Sequence, residues 1–457
     1  MIRTLLTAPQ IVTMDPDRRV LRDHGILVED TRIAAIGPGA DLARAHPDAA
    51  VKAFPRALLM PGLVNAHCHS GILRGTAEGQ PVWEWLRLFI DPMHRVLQPD
   101  EAEIASRLCY AEAVLSGTTT LVDMWRYMDG SARAAEAIGL RSVLVPYVGE
   151  HPDHNYFETL DTNEALINAW HGKADGRVQV WVGLEHLFYA VPAALARAGE
   201  MSRKYRVGFH THSNESAFDV EETKRRYGVR PVEALDRHGL LDAHRVLLAH
   251  CVWLSDAEIA LLAAKGAAVA HNPISNLKLA SGIAPVEKLL AAGVAVGLGT
   301  DGEKENNNLD MFEELKVASL VAKQLALNAA ALDSWDALRL GTSLGAKALG
   351  LDADIGSLEV GKKADLIAVR TDTPRMTPLL DEGPYLNLHH NLVHAARGGD
   401  VVLTMVDGRI IAEDGRLLTA DLPTLIADAN RAIRPLLDRR DAWIRASGGS
   451  KSEIHYT

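Results

Sequence analysis

The sequence predicts an α/β protein, a (β/α)8 (TIM) barrel with a small β-sandwich domain formed by the N- and C-terminal segments. Two observations carry this. Between residues 58 and 354, eight short apolar β-like runs alternate with helical stretches of roughly 10–20 residues, the rhythm of βαβ units. On either side of that region the pattern becomes closely spaced strands and turns.

Residues 1–57 read as the first part of the sandwich. "IVTMD", "GILVED" and "RIAAIG" are β-rich, with Gly and Asp at the breaks. The barrel runs are 62–69, 117–124, 142–148, 178–185, 207–213, 246–252, 267–273 and 294–300. Helices between them keep the 3.6-residue period, as in "DAEIALLAAKG" (256–266) with a Gly C-cap. Residues 355–420 return to the β-rich style and complete the sandwich; "VDGR" and "EDGR" there are hairpin turn signals. A helix over about 421–445 follows, and the tail "SGGSKSEIHYT" reads as disordered, so 421–457 is a helix with a flexible end.

The 457 residues, 47% of them hydrophobic, suffice for a large core, and barrels of this kind run long as single units. A net charge of −11 argues against nucleic acid as a partner. No apolar run reaches the roughly 18 residues of a membrane span, and the N-terminus lacks a signal-peptide pattern, so no membrane partner is expected. Three scattered cysteines, Cys68, Cys109 and Cys251, make no disulfide framework and suit a reducing cytoplasm. No CxxC occurs, which excludes a cysteine-ligated zinc of the cytidine-deaminase kind. A homo-oligomer, dimer or tetramer, is expected.

The chemistry lies at the ends of the runs. His67 and His69 close the first, His210 and His212 the fifth, His250 the sixth and Asp301 the eighth. In a strand, residues i and i+2 share a face, so one such pair can hold one metal ion. All these positions are strand C-termini, the face where barrel active sites lie. Nitrogen and carboxylate donors suit zinc or iron, and a catalytic site keeps one position for water. Alternation puts His210 and His212 on one face and does not separate them.

"PGLVNAHCH", "SGTTTLVDM", "HCVWL", "HNPISNLKLASGIAPV", "GTDG…NNNLDMFEELK" and "GSLEVGKKADLIAV" together resemble the amidohydrolase superfamily over almost the full length. The branch is that of S-adenosylhomocysteine/methylthioadenosine deaminases, guanine deaminases and triazine chlorohydrolases. The resemblance implies His67, His69, His212 and Asp301 as metal ligands, Glu215 as proton shuttle and His250 as the group that steers the attacking water. It makes His210 a packing or supporting residue and His186 a contact to the substrate ring. It places "HNPISNLKLASGIAP" at the site rim, where Asn272 and Asn276 either bind substrate or order the loop. Relatives with two metals carry a bridging lysine or acid on strand four; that strand ends "GLEHLFY", so one divalent ion, zinc before iron, is expected, with Glu185 the residual question.

The expected reaction is hydrolytic deamination of an N-heterocycle of purine, pterin, pyrimidine or triazine type, with ammonia released. Asp301 takes the proton of the water, Glu215 protonates the ring nitrogen and then the amine, and His250 stabilises the developing charge. Alternatives are removal of chloride or an alkylamine, cleavage of an amide or urea, or an inactive scaffold. The specificity region departs from the adenosylhomocysteine pattern. Trp83 stands where a ribose-binding acid is expected, beside Glu84, with Glu78 the alternative. The segment "LVPYVGEHPDHNYFETLD" has no arginine for a substrate carboxylate and several acids, among them Glu150, Asp153 and Glu158, that would repel one. Glu303 and Glu305 follow Asp301 where small residues are usual. Trp83, Trp85 and Trp125 are available to stack on a ring.

Overall fold

The computed structural model describes residues 2–447. The core of the chain is two arcs of parallel strands. In one, strands Leu63–Cys68, Thr118–Trp125, Arg141–Pro146 and Val178–Val180 lie side by side; in the other, Val182–Gly183, Phe209–Ser213, Val246–His250, Ala268–His271 and Val296–Leu298 do so. Every neighbouring pair is parallel. Strands of this kind are covered on both faces and so read as continuous apolar runs; each residue of Thr118–Trp125 is buried.

The fourth expected run is interrupted. Residues 178–180 pair with the Arg141–Pro146 strand, 182–183 pair with the Phe209–Ser213 strand, and Trp181 links the arcs by donating its backbone N–H to the Leu144 carbonyl at 2.9 Å. Its indole packs over Gly208, where a Cβ would lie 2.2 Å from the ring. At the outer edges, the Asp301 amide donates to the His67 carbonyl at 3.0 Å, and Asn65 exchanges two hydrogen bonds with Thr300. These tie the end of the last strand to the first.

Helices connect the strands. Asp256–Lys265 carries its stops in the sequence: Ser255 and Glu258 form a capping box, and Gly266 ends it with a φ of 64°. The N-terminal segment alone forms a four-stranded sheet, ordered Arg32–Pro38, His24–Glu29, Arg3–Thr7, Ala50–Ala53. The N- and C-terminal segments together form a seven-stranded sheet, ordered Arg416–Leu417, Arg409–Glu413, Val401–Val406, Leu366–Arg370, Ala57–Pro61, Gln10–Val12, Val20–Arg22. One apolar cluster joins them, with Leu6, Ile26, Leu59, Leu366 and Met405 fully buried. "VDGR" and "EDGR" are two-residue turns with positive φ at Asp407, Gly408, Asp414 and Gly415, as a type I′ hairpin requires.

Three features differ from expectation. A helix, Gly39–Ala45, sits within the N-terminal strands. Strand Ala57–Pro61 crosses the expected division at 57/58, because it pairs with Leu366–Arg370 before the chain runs straight on into Leu63–Cys68. "HNPISNLK" is not a loop: Pro273–Lys278 is a short helix started by Pro at its first position. The long C-terminal helix, Leu422–Ser447, lies against Pro99–Leu115, held by Arg439 to Glu101. The tail expected beyond it lies outside the described residues.

Candidate active site

The fold brings His67, His69, His212, His250 and Asp301 together at the C-terminal ends of four strands. A chain of hydrogen bonds fixes the tautomers. A carbonyl oxygen can only accept, so His210 Nδ1 donates to the Leu247 carbonyl at 2.8 Å. His210 Nε2 is then an acceptor, and His67 Nδ1 donates to it, also at 2.8 Å. His67 Nε2 is left with a lone pair, buried and unpartnered. In the same way His69 Nδ1 donates to the Met124 carbonyl and His212 Nδ1 to the Glu185 carbonyl, both at 2.6 Å. Their Nε2 atoms also become lone-pair donors to a metal.

These lone pairs face each other. His69 Nε2 and His212 Nε2 are 3.2 Å apart. Asp301 Oδ1 is 3.5 Å from His67 Nε2 and 3.3 Å from His69 Nε2. Burial pushes the His67, His69 and His212 imidazoles below their ordinary range, so protons do not relieve the repulsion. Burial works against the Asp301 charge, yet the surrounding histidines hold that carboxyl well below its usual range. His67, His69 and His212 form one cluster of donor atoms, and Asp301 meets two of its members, His67 and His69; three neutral imidazole nitrogens and one carboxylate are a donor set that a divalent metal fits.

Two further groups face this cluster. His250 Nε2 is 3.8 Å from Asp301 Oδ2 and 3.9 Å from Glu215 Oε2. Burial opposes its charge, but Glu215 and Asp301 raise the imidazole above its ordinary range. Burial also pushes the Glu215 carboxyl up, against the nearby His250. His250, Asn214 and Asp301 adopt left-handed backbone, with φ of 69°, 54° and 59°. Non-glycine residues in that region cost about 1–3 kcal/mol each and concentrate at functional sites.

The cavity above these groups has a volume of ≈ 30 Å³, about one water's share of the liquid. Trp83, Trp85, Leu86 and Leu279 form its apolar wall, and Tyr147, Glu185, His186, Glu215 and Glu305 its polar one. Both nitrogens of His186 are engaged: Nδ1 accepts from the Phe188 amide at 3.2 Å, and Nε2 faces Asp219 at 3.0 Å.

Several expected substrate contacts lie elsewhere. Asn272 and Asn276 do not line the cavity; they meet His250 Nδ1, Asn276 Oδ1 at 2.9 Å and Asn272 Nδ2 at 3.4 Å, because the Pro273–Lys278 helix tucks them behind that ring. Trp125 is buried under Ala102, to whose carbonyl it donates. Glu78 pairs with Lys278 at the surface, Glu84 with Arg87, and Glu303 accepts from the Leu73 amide. Glu158 is neutralised by Arg126 and Glu150 accepts from the Leu160 amide, so these two acids do not form a repulsive face to the cavity. Sequence reasoning missed Ser275, whose hydroxyl donates to Asp301 Oδ2 at 2.6 Å, and Asp219, which accepts from the Glu215 amide. Ser275 sits inside a conspicuous segment and Asp219 shortly after the fifth run, but a Ser or Asp there carries no pattern of its own. Tyr147, at the end of the third strand, was equally silent.

The chain matches the amidohydrolase family over residues 58–411 and belongs to that family. It is 38% identical to a 5'-deoxyadenosine deaminase of Methanosarcina acetivorans, over 94% of this chain and 98% of the relative. It is 39% identical to a 5-methylthioadenosine/S-adenosylhomocysteine deaminase of Moorella thermoacetica, over 89% of this chain and 94% of the relative. Among solved structures it resembles an adenosine deaminase from Xanthomonas campestris with bound zinc, with a TM-score of 0.88 and 32% identity, covering 96% of this chain and 99% of that one.

Proposed function

We propose that the protein is a metal-dependent aminohydrolase that replaces an exocyclic amino group on an N-heterocycle of adenosine type by oxygen and releases ammonia. The clustering of the His67, His69 and His212 Nε2 lone pairs, two of them beside Asp301 Oδ1 and the third facing His69, carries this reading, since a cation makes that arrangement favourable. One ion per chain, zinc, is the match to three nitrogens and one carboxylate. When bound, such an ion supplies the Lewis acidity that makes water a nucleophile near neutral pH.

The chain's own groups do the rest. Asp301 Oδ2, held by Ser275, accepts a proton from the attacking water. His250, oriented by Asn276, hydrogen-bonds the attacking oxygen and stabilises its charge. Glu215 gives its proton to the ring nitrogen next to the attacked carbon; a proton then reaches the amine, which leaves as ammonia while the ring keeps a carbonyl. His186 and Trp83 bound the ring, in edge-on contact with each other at 5.5 Å. Asn272 and Asn276 act through His250.

The same reading extends to the architecture. The two arcs form one closed eight-stranded barrel, and the two outer sheets form the β-sandwich domain beside it. Among the described residues no helix is long and apolar enough to cross a membrane. We place the protein in the cytoplasm as a homo-oligomer. An ammonia-release screen over purine nucleosides, pterins, pyrimidines and triazines tests the function, with chloride and alkylamine release followed in parallel. Ammonia from a purine-type ring is expected; chloride or alkylamine release alone would replace the deaminase reading with the dechlorinase or alkylaminohydrolase one.

A further inference from the structure

Two carboxyls in the cavity have no part in that reaction. Glu185 follows the broken fourth strand, and Glu305 lies on the short helix Glu303–Asn306 after Asp301. They are 5% and 4% exposed. Both line the cavity, and in each the Oε2 atom is buried without a hydrogen-bond partner. Of their other oxygens, Glu305 Oε1 meets Lys304 Nζ at 3.1 Å, while Glu185 Oε1 lies 3.9 Å from His212 Nδ1, whose proton goes to the Glu185 carbonyl.

A buried carboxyl oxygen left without a donor is costly, so such an atom in a binding cavity points to a donor on the ligand. Among the described residues none hydrogen-bonds either atom, and Trp85 Nε1, the unpartnered donor on the same wall, does not reach them. No lysine or arginine lines the cavity among the described residues. Lys304 is tied to Glu305 and lies 5.5 Å from the Trp125 ring. His186 has spent both nitrogens.

We infer that Glu185 and Glu305 are specificity-determining residues that accept N–H bonds from the substrate, and that they select a ring bearing a second amino group besides the one that leaves. A carboxyl oxygen accepts whether or not its partner oxygen is protonated, so the selection needs no particular ionisation. The substrate class is a diamino-substituted, neutral or cationic heterocycle without a carboxylate. This rests on the aminohydrolase reading of the same site. The rival role for Glu305 is metal binding, because one of its oxygens also lies within 4.8 Å of ligand atoms of His69 and Asp301.

Glu305→Gln and Glu185→Gln separate these roles. Glutamine keeps an oxygen for Lys304 and puts N–H donors where the free Oε2 stood, so polarity reverses at one atom. The probes are adenosine, 2-aminoadenosine and 2-methyladenosine, the last matching the bulk of the second amino group without its N–H. Two quantities are read: kcat/KM for ammonia release, and the dissociation constants on Glu215→Gln protein, with and without each substitution. Wild type is expected to favour 2-aminoadenosine over both others by roughly tenfold to a hundredfold, the combined range of two ordinary hydrogen bonds, one to each carboxyl. Each glutamine variant is expected to bring that ratio to within about threefold, with metal content unchanged. A wild-type ratio near one, a ratio that survives both substitutions, or loss of metal from Glu305→Gln overturns the inference. Absence of ammonia from all three rings overturns the proposed function instead, and the binding ratios still decide this one.

Discussion

Replacing Glu215 by glutamine removes an exchangeable proton and leaves the shape of the site in place. The side chain is buried, and its one hydrogen bond is long: Ser281 Oγ to Oε1 at 3.4 Å. The Glu215 amide is held by Asp219, which the substitution does not touch. Folding stability should therefore change by less than about 1 kcal/mol, and metal content should not change at all. Turnover should fall by roughly 10²–10⁴, the contribution of a placed general acid, or about 3–5 kcal/mol on the barrier. The pH profile gives a second reading. Burial raises the Glu215 carboxyl, and a proton donor has to start protonated. Wild-type rate should decline as pH rises through the Glu215 pKa, and that limb should be missing from the residual rate of the variant. Steady-state ammonia release on metal-replete protein from pH 5 to 9 measures both. A metal-replete Glu215→Gln enzyme with near-normal turnover, or with the same alkaline limb, would assign the proton to another group.

His210→Leu leaves His67 Nδ1 without its acceptor, so metal affinity should fall by roughly 10–100-fold; competition with a chelator measures it, and an unchanged affinity would detach His210 from the site. Burial holds the Asp91 carboxyl at about 7, against Tyr156 and Arg95. A raised carboxyl stabilises fully below about pH 4 and loses that stability as pH rises through 7. Displacement from 3.8 to about 7 is worth roughly 4 kcal/mol, so Asp91→Asn should gain thermal stability relative to wild type between pH 4 and 8; parallel melting curves at all pH values would contradict this. Adenosylhomocysteine should be turned over more than roughly a hundredfold less efficiently than 5'-deoxyadenosine, since a missing bidentate partner for its carboxylate costs about 3 kcal/mol and Arg126 is already engaged with Glu158, His94 and Tyr156. Equal kcat/KM for the two would show a carboxylate grip elsewhere.

The parallel strands were legible because burial on both faces makes each a continuous apolar run, and because His67, His212, His250 and Asp301 end them in polar groups with no other reason to be there. What stayed hidden depends on depth and neighbours, which spacing does not encode. His210 and His212 share a face, but only three-dimensional depth puts His210 behind His67. The break at Trp181 follows from its packing over Gly208, a contact between successive strands. Asn272 and Asn276 sit in a conspicuous segment, yet the turn of a short helix brings them to His250 and leaves them off the cavity wall. The tryptophans look alike in sequence; Trp83 and Trp85 line the cavity, while Trp125 is taken up by the core.

The central claim is that one ion held by His67, His69, His212 and Asp301 makes the site work. Its most direct test is to strip the purified protein with a chelator and follow ammonia release from 5'-deoxyadenosine while zinc is returned in measured amounts. The rate should be absent without metal, rise linearly, and saturate at about one equivalent per chain. Full activity in the stripped protein, or saturation only at two equivalents, would contradict it.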